Sequence, residues 1–545
     1  MPTSRQTWCR PLALHHFFRH INSRTQSIRN FSSNAAKSLA HSPLSLFDST
    51  SSISPKSPND HLFRYTSGRW LWNEEQQLKH RYRYFNVPEL KKVACQAADS
   101  SRCVSLEKIG EGNYNKGFRL VMQDGQKVIA KISHPNAGPP VYTTASEIAT
   151  MDFARTILKI PVPKEIIDIE KRLLSVSFDR YGALYYRSDK IPQCEKAVVT
   201  TDNMQEVKDD IESQFEIGPI VQREFWKGER SKMHCYHGPW RTAKDYLESL
   251  ARREMKWIND HADPTKDMGN PWLNTSKAQR SPNAHIDLLQ RFLSAIPYII
   301  PKDTELTSPR LWHPDFHAGN IFVDNEGKIT SLIDWQGAWA EPMFLGSNPP
   351  KLLDYGVDIL MNLPENFSQL DEDTKDQLRY RFSQSVLIHA YETRTAVENP
   401  LMHRMMHNYQ GKTLKEIVAF ASDTWDSGLF PLRECLIRIE SSDETKKEFC
   451  FREWDDFDAD EPCPYHFTEE EIQEHQEESK SFNDNAYFWD SIREIVTNEG
   501  YTSNEDFPRA VEIFQRLRES GLKNLEGDDR EEFDKQTRWI RDIRM

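Results

Sequence analysis

The stretch "LWHPDFHAGNIFVDNEGKITSLIDWQ" (Leu311–Gln336) gathers two histidines, three aspartates and two asparagines between short apolar runs. Three readings suit such a set. Hard oxygen donors could hold a divalent cation beside a phosphate. His313, Asp315 and His317 stand at alternate positions, so on an extended segment they point the same way and could ligate a transition metal for a hydrolase. The third is a polar turn with satisfied core histidines. "IFVD" and "KITSLID" read as strands joined by "NEG", whose glycine can take the left-handed position of a tight hairpin. Asp315 and Asn320 then precede the hairpin and Asp334 ends its second strand, which can bring three oxygen-bearing side chains together.

His313, Asp315 and Asn320 form H-x-D-x-x-x-x-N. That is the spacing of a phosphoryl-transfer loop, in which the aspartate accepts the attacking hydroxyl's proton and the asparagine holds magnesium. Asp334 follows where a second magnesium ligand belongs. A transferring phosphoryl group spreads charge over its oxygens, so a protein mainly positions it and supplies cations. A transition-metal reading leaves Asn320 and Asp334 without a role.

Such chemistry needs a phosphate cover and a lysine. "EKIGEGNYNKGFRLVMQDGQKVIAKIS" supplies candidates for both. Gly110, Gly112 and Gly117 sit between strand-like segments, where glycines let backbone N–H groups approach phosphate oxygens. No G-K-[ST] closes the pattern, so it is not a Walker A loop. Lys131 ends the strand "VIAKIS" and could reach the α- and β-phosphates of ATP. Glu147, on the helix expected over Thr144–Lys159, is the candidate partner of that lysine. A rival local reading is a capping box, Thr144-x-x-Glu147.

These sites need elements to carry them. Residues from about Ser101 to Ser133 alternate apolar and polar with glycine turns, as strands do. "WRTAKDYLESLARREMKWINDH" and "NAHIDLLQRFLSAIPYI" carry helical periodicity, and helices dominate from about Asp202 onward. Trp454 to Glu478, with eleven acidic residues, reads as a solvated face or loop.

The 545 residues carry a formal net charge of −13, which argues against general nucleic-acid binding. No apolar run reaches the length of a membrane-spanning helix, and the eight scattered cysteines include no C-x-x-C pair. The first 47 residues differ: Arg5, Arg10, Arg19, Arg24, Arg29 and Lys37 face no acidic residue, and serines are frequent. That composition predicts a mitochondrial transit peptide, with "RNFSS" as a processing point and the matrix as the default destination. "SSISPKSPND" reads as a linker.

"WHPDFHAGNIFVD…IDWQ" resembles the phosphotransferase family of aminoglycoside and choline kinases, with Pro314 and Ala318 replacing its usual glycine and proline. By that resemblance Asp315 is the catalytic base, Asn320 and Asp334 bind Mg2+, and His317 has a structural role. "SGRWLWNEEQQLKHRYRYFNV", "IGEGNYNKGFRLVM", "VSFDRYGALYYRSD" and "GPWRTAKDYL" further resemble the fungal altered inheritance of mitochondria protein 9 family.

The resemblance implies an α+β, protein-kinase-like two-lobed fold. Its expected parts are a leader over 1–47, a linker and extension over 48–100, a β-rich N-lobe over 101–200, and a helical C-lobe over 201–545. Against the family, about fifty residues are missing between roughly Lys164 and Leu173, where two strands and an adenine-binding hinge are expected. "VSFDRYGALYYR" could form a substitute hairpin there. The implied partners are a nucleotide and a small-molecule acceptor, with ATP and Mg2+ as cofactors. The implied activity is phosphoryl transfer to a hydroxyl, in mitochondrial maintenance or inheritance. A catalytically impaired scaffold is the alternative.

Overall fold

The computed structural model describes residues 59–157, 166–201, 205–264, 276–325, 329–346, 349–408, 411–440 and 462–543. The basic leader, its processing point and most of the Ser/Pro linker lie outside them, as do Gly327 of the expected hairpin turn and the first acidic residues of the charged stretch.

Strand β1 spans Gly68–Trp70, and helix α1 spans Val87–Ala97. The Asn86 side chain caps α1 by accepting from the Glu89 amide at 3.0 Å, and Pro88 in the first turn sacrifices no needed donor. Three antiparallel strands follow: β2 (Cys103–Glu111), β3 (Asn115–Met122) and β4 (Lys127–Ser133). Along β3 burial alternates strictly, as the period of two requires, so Phe118, Leu120 and Met122 share one face. They pack against Leu62, Phe63, Phe85, Val87 and Ala94. Residues ahead of β2 therefore form the floor of the sheet. Lys116 is sealed beneath it, donating to the carbonyls of Phe63 (2.7 Å) and Arg81 (2.8 Å), and burial pushes its amine down to about 8.

Helix α2 runs over Pro140–Thr156 and begins at a proline. Thr144 consequently lies inside the helix and forms no capping box with Glu147, because the start is four residues earlier than the local pattern suggests. Ala149 and Phe153 on α2 belong to the large core and not to the cluster under β3. Helix α3 (Ile166–Leu174) follows, then β5 (Ala183–Tyr186), β6 (Glu195–Lys196) and β7 (Phe215–Gly218) in a sheet of order β5-β7-β6. The "VSFDRYGALYYR" segment does not fold back on itself as a hairpin. Ser177 bridges Arg310, Phe178 bridges Val199, Tyr181 bridges Trp240 and Gly182 bridges Ala340, so the large core takes up this segment.

Glu170 on α3 is fully buried, and the Tyr391 hydroxyl donates to its two oxygens at 2.8 and 3.0 Å. Burial raises its pKa from 4.5 to about 8. A carboxyl that holds its proton more tightly when folded contributes stability fully below its unfolded value. That stability is lost as pH rises through about 8. We expect the unfolding free energy to fall by a few kcal/mol, to order of magnitude, across that window. Glu170→Gln should flatten the decline in urea titrations; an equally steep decline would exclude Glu170 as its source.

The large core is built on α4 (Ala243–His261) and α5 (Pro282–Ile299). Tyr246, Leu247, Leu250, Ala251, Trp257 and Ile258 recur at three- and four-residue spacing on α4, which is the signature of one apolar helix face. Thr242 and Ser281 cap the two helices. Next come β8 (Pro309–Leu311), the antiparallel pair β9 (Ile321–Val323) and β10 (Ile329–Leu332), and β11 (Ala340–Pro342), which pairs with β8. Helices α6 (Glu372–Glu398), α7 (Pro400–Met406), α8 (Gly411–Ser422) and α9 (Leu429–Glu440) follow. The architecture is a mixed α+β one, helical with small sheets.

Helix α10 covers Glu469–Ile492 and opens with a capping box between Thr468 and Glu471. The second half of the acidic stretch is thus ordered helix, and it is not all solvated. His475 and Glu478 are buried against Arg433, with Arg433 Nε donating to His475 Nδ1 at 3.0 Å. Strand β12 (Tyr501–Ser503) pairs antiparallel with β1, and α11 (Phe507–Asn524) packs beside it. Leu71 joins Trp489, Val496, Phe507 and Phe514 in one apolar cluster. Among the described residues no helix is long and apolar enough to cross a membrane.

Candidate active site

The catalytic-loop stretch folds around His313. Its ring is buried; Nδ1 accepts from the Asp315 amide at 3.2 Å, and Nε2 lies 2.9 Å from the Ile333 carbonyl. Both nitrogens are used to shape the turn, and burial holds the ring below its ordinary pKa, hence neutral. The metallohydrolase reading from His313, Asp315 and His317 is thereby corrected. His313 has no nitrogen left for a metal, and among the described residues these three form no metal-holding group.

His317 caps the short turn at Ala318–Asn320, its Nδ1 accepting from the Gly319 amide at 2.9 Å, while Nε2 reaches Asp315 Oδ2 at 3.1 Å. Lys351 Nζ contacts the other oxygen, Oδ1, at 2.8 Å. Burial pushes Asp315 up, but the Lys351 ammonium and His317 prevail and hold its carboxyl below the usual range. Lys351 is a contact that the local motif gives no hint of.

Asn320 is buried, and its Nδ2 donates to the Asp315 carbonyl at 2.9 Å. Anchoring the amide by its nitrogen leaves its oxygen as the end for a cation. Asp334 follows β10 with a left-handed backbone, φ 64°. Such strain in a residue other than glycine persists only when surroundings enforce it, and it gathers at functional positions. Here Lys131 Nζ meets Asp334 Oδ1 at 2.7 Å and Glu147 Oε1 at 2.6 Å. Burial opposes the charge on Lys131, yet the two carboxylates outweigh it and raise its pKa; burial pushes Glu147 upward. A strand, a helix and the segment that follows the β9–β10 hairpin, distant in sequence, converge on one ammonium.

The glycines form the stem and turn of the β2–β3 hairpin. Gly110 pairs with Gly117, and the Gly112 amide donates to the Asn115 carbonyl at 2.9 Å. A Cβ added at Gly110 or Gly112 would meet nothing within 4 Å, and at Gly117 only ordinary contacts. The hairpin itself does not require glycine at these positions. Asn115 Nδ2 donates to Gln336 Oε1 at 2.8 Å, pinning the hairpin to the residues just past Asp334. Beside its turn Glu111 Oε2 accepts from the Thr66 amide at 2.7 Å. Sequence spacing gave no signal for either tie, because both join residues that are far apart in the chain.

Residues 231–343 match the model of the phosphotransferase enzyme family. The match contains Asp315, Asn320 and Asp334 and stops short of Lys131 and Glu147. A subtelomeric hrmA-associated cluster protein of Aspergillus fumigatus is 28% identical over 517 residues, covering 79% of this chain and 95% of the relative. Altered inheritance of mitochondria protein 9, mitochondrial, from Eremothecium gossypii is 22% identical over 624 residues, covering 90% of this chain and 95% of the relative. The protein of that name from Yarrowia lipolytica is 24% identical over 400 residues, covering 60% of this chain and 67% of the relative. A crystal structure of a thermostable mutant of aminoglycoside phosphotransferase APH(4)-Ia, apo form, covers 64% of this chain and 98% of that chain at 12% identity. Its TM-score of 0.21 carries no structural argument. Most of the chain is thus similar to the yeast proteins named altered inheritance of mitochondria protein 9, and its central residues 231–343 to the phosphotransferase enzyme family.

Proposed function

We propose that the protein is a two-lobed, kinase-like phosphotransferase that moves the γ-phosphoryl of ATP onto a small-molecule hydroxyl in the mitochondrial matrix. The single observation that carries this reading is the Lys131 ammonium held between Glu147 (2.6 Å) and Asp334 (2.7 Å). A lysine so placed neutralises phosphate charge, and the glutamate keeps it there when the aspartate turns to a metal. The β2–β4 sheet with residues 62–94 beneath it serves as the N-lobe, the large core as the C-lobe, and residues 1–47 as the leader. Gly110, Gly112 and Gly117 cover the phosphates. The open space above the first two supports that, since a larger side chain there would occupy ligand volume.

The donor set fits Mg2+: the Asn320 amide oxygen and the Asp334 carboxylate are hard oxygens, and water and phosphate complete such a shell. Bound there, the ion neutralises charge on the phosphate oxygens. Asp315 orients the acceptor hydroxyl and takes its proton. Lys351 must first yield Asp315 Oδ1, so acceptor entry and release of that ion pair are one event.

The test is the thermal shift of the full chain on adding ATP with magnesium, beside Asp334→Asn. Ligand at about 100 times its Kd stabilises by about 2.7 kcal/mol. We expect wild type to shift and the variant not to. An equal shift in both would remove Asp334 from the site. A second reading, a scaffold without turnover, draws on one observation: among the described residues the β2–β4 sheet has three strands and none joins it after α2. Nucleotide binding without transfer to any acceptor would favour it.

A further inference from the structure

Away from the phosphoryl-transfer residues, Glu392, His403 and His407 bring their ligand atoms within 4.8 Å of one another. We propose that these three side chains form a zinc site linking α6 to the end of α7. Two imidazoles and a carboxylate are a donor set that borderline-soft Zn2+ accepts, with a fourth position left to water.

The spacing of the three ligand atoms suits an ion. Tetrahedral Zn2+ with ligand bonds of about 2.0–2.1 Å places its ligand atoms about 3.3 Å apart. His407 Nε2 and Glu392 Oε2 stand 3.2 Å apart, one edge of that tetrahedron already set. The His403 and His407 rings lie side by side, centroids 4.1 Å apart, so the third ligand closes by side-chain rotation.

The outer contacts are those that a metal site uses. His407 Nδ1 lies 2.9 Å from the His403 carbonyl, which fixes the tautomer that presents Nε2 as the ligand. The Tyr355 hydroxyl donates to Glu392 Oε1 at 2.7 Å, orienting the carboxylate so that Oε2 faces the histidines. The helix pair, connected by the turn at Asn399, gains a cross-link between its side chains. Tyr355 also follows Lys351 by four residues, so the same ion would steady the segment that delivers Lys351 to Asp315.

Chelator-treated full-length protein, titrated with Zn2+ alone and then with Co2+ as a spectroscopic reporter, tests this. Wild type should bind one equivalent and show the absorption of tetrahedral cobalt. His407→Ala should lose that site; because His407 is half exposed, the metal-free melting point should not move. Tyr355→Phe, which keeps all three ligands, should weaken affinity about 10–100-fold. Asp315→Asn/His317→Ala should leave the stoichiometry unchanged. Undiminished binding in His407→Ala, or loss in the Asp315/His317 variant instead, would overturn the assignment. Neither outcome bears on whether ATP binds at Lys131 and Asp334.

Discussion

Asp315→Asn should lower phosphoryl transfer about 10²–10⁴-fold while leaving the ATP–magnesium thermal shift intact. Asp315 sits outside the Lys131–Glu147–Asp334 cluster that would hold the phosphates, so its loss spares the nucleotide. An asparagine keeps the size, and its single oxygen can still accept from one of Lys351 and His317, but it cannot take a proton. The loop should stay folded, because its shape comes from His313 and from the Asp315 carbonyl that anchors Asn320, neither of which the substitution touches. Slow hydrolysis of ATP, with water standing in for the acceptor, provides an assay before the acceptor is known. Equal hydrolysis by variant and wild type would remove Asp315 as the base.

The second large effect is on stability. Arg230→Ala should cost about 3–5 kcal/mol, because it leaves the buried Glu254 without its cation, while Lys227 still pairs with Asp426. Arg230 bonds Glu254 through Nη2 at 2.9 Å and reaches Asp423 and Asp426 at 3.1 Å each. Glu254 is fully buried, and its other oxygen accepts from the Trp425 amide at 3.1 Å. The same guanidinium lies 4.2 Å from the Trp257 ring centroid. The cluster joins α4 to the segment between α8 and α9. Arg230→Lys should fall between wild type and alanine, since it restores charge without the planar fork. Arg252→Ala, whose Glu248 pairing is solvent-exposed, is the control and should cost about 0–1 kcal/mol in urea unfolding. Similar losses in the two alanine variants would show that the buried cluster adds nothing.

What could be read from the residues divides by range. The β9–β10 pair, the α4 and α5 faces and the alternation along β3 follow from periods of two and 3.6, which neighbours in sequence determine. That Asp315 and Asn320 share one turn was legible in their spacing for the same reason. Local pattern failed where a distant partner decides. Thr144 and Glu147 read equally as a cap, but Pro140 starts α2 earlier and Lys131 takes the glutamate. The charged stretch looked solvated until Arg433, from α9, buried His475 and Glu478. His313 looked like a ligand because periodicity says which way a side chain points and nothing of which carbonyl awaits it.

The pairing of β1 with β12 also sets an order of events in time. Thr66 holds the β2–β3 hairpin through Glu111, and its own carbonyl accepts from Asn504 at 2.9 Å, across a sequence separation of 438. Pairings of such range are the slowest to form, since loop closure precedes any reward. A nascent chain can close the α4–α5 core while β12 is still being made. The glycine hairpin then waits for β12 before its support is complete, and under the proposed function nucleotide binding should appear late. A polypeptide halted before Tyr501 would carry Asp315, Asn320 and Asp334 beneath a cover not yet fastened.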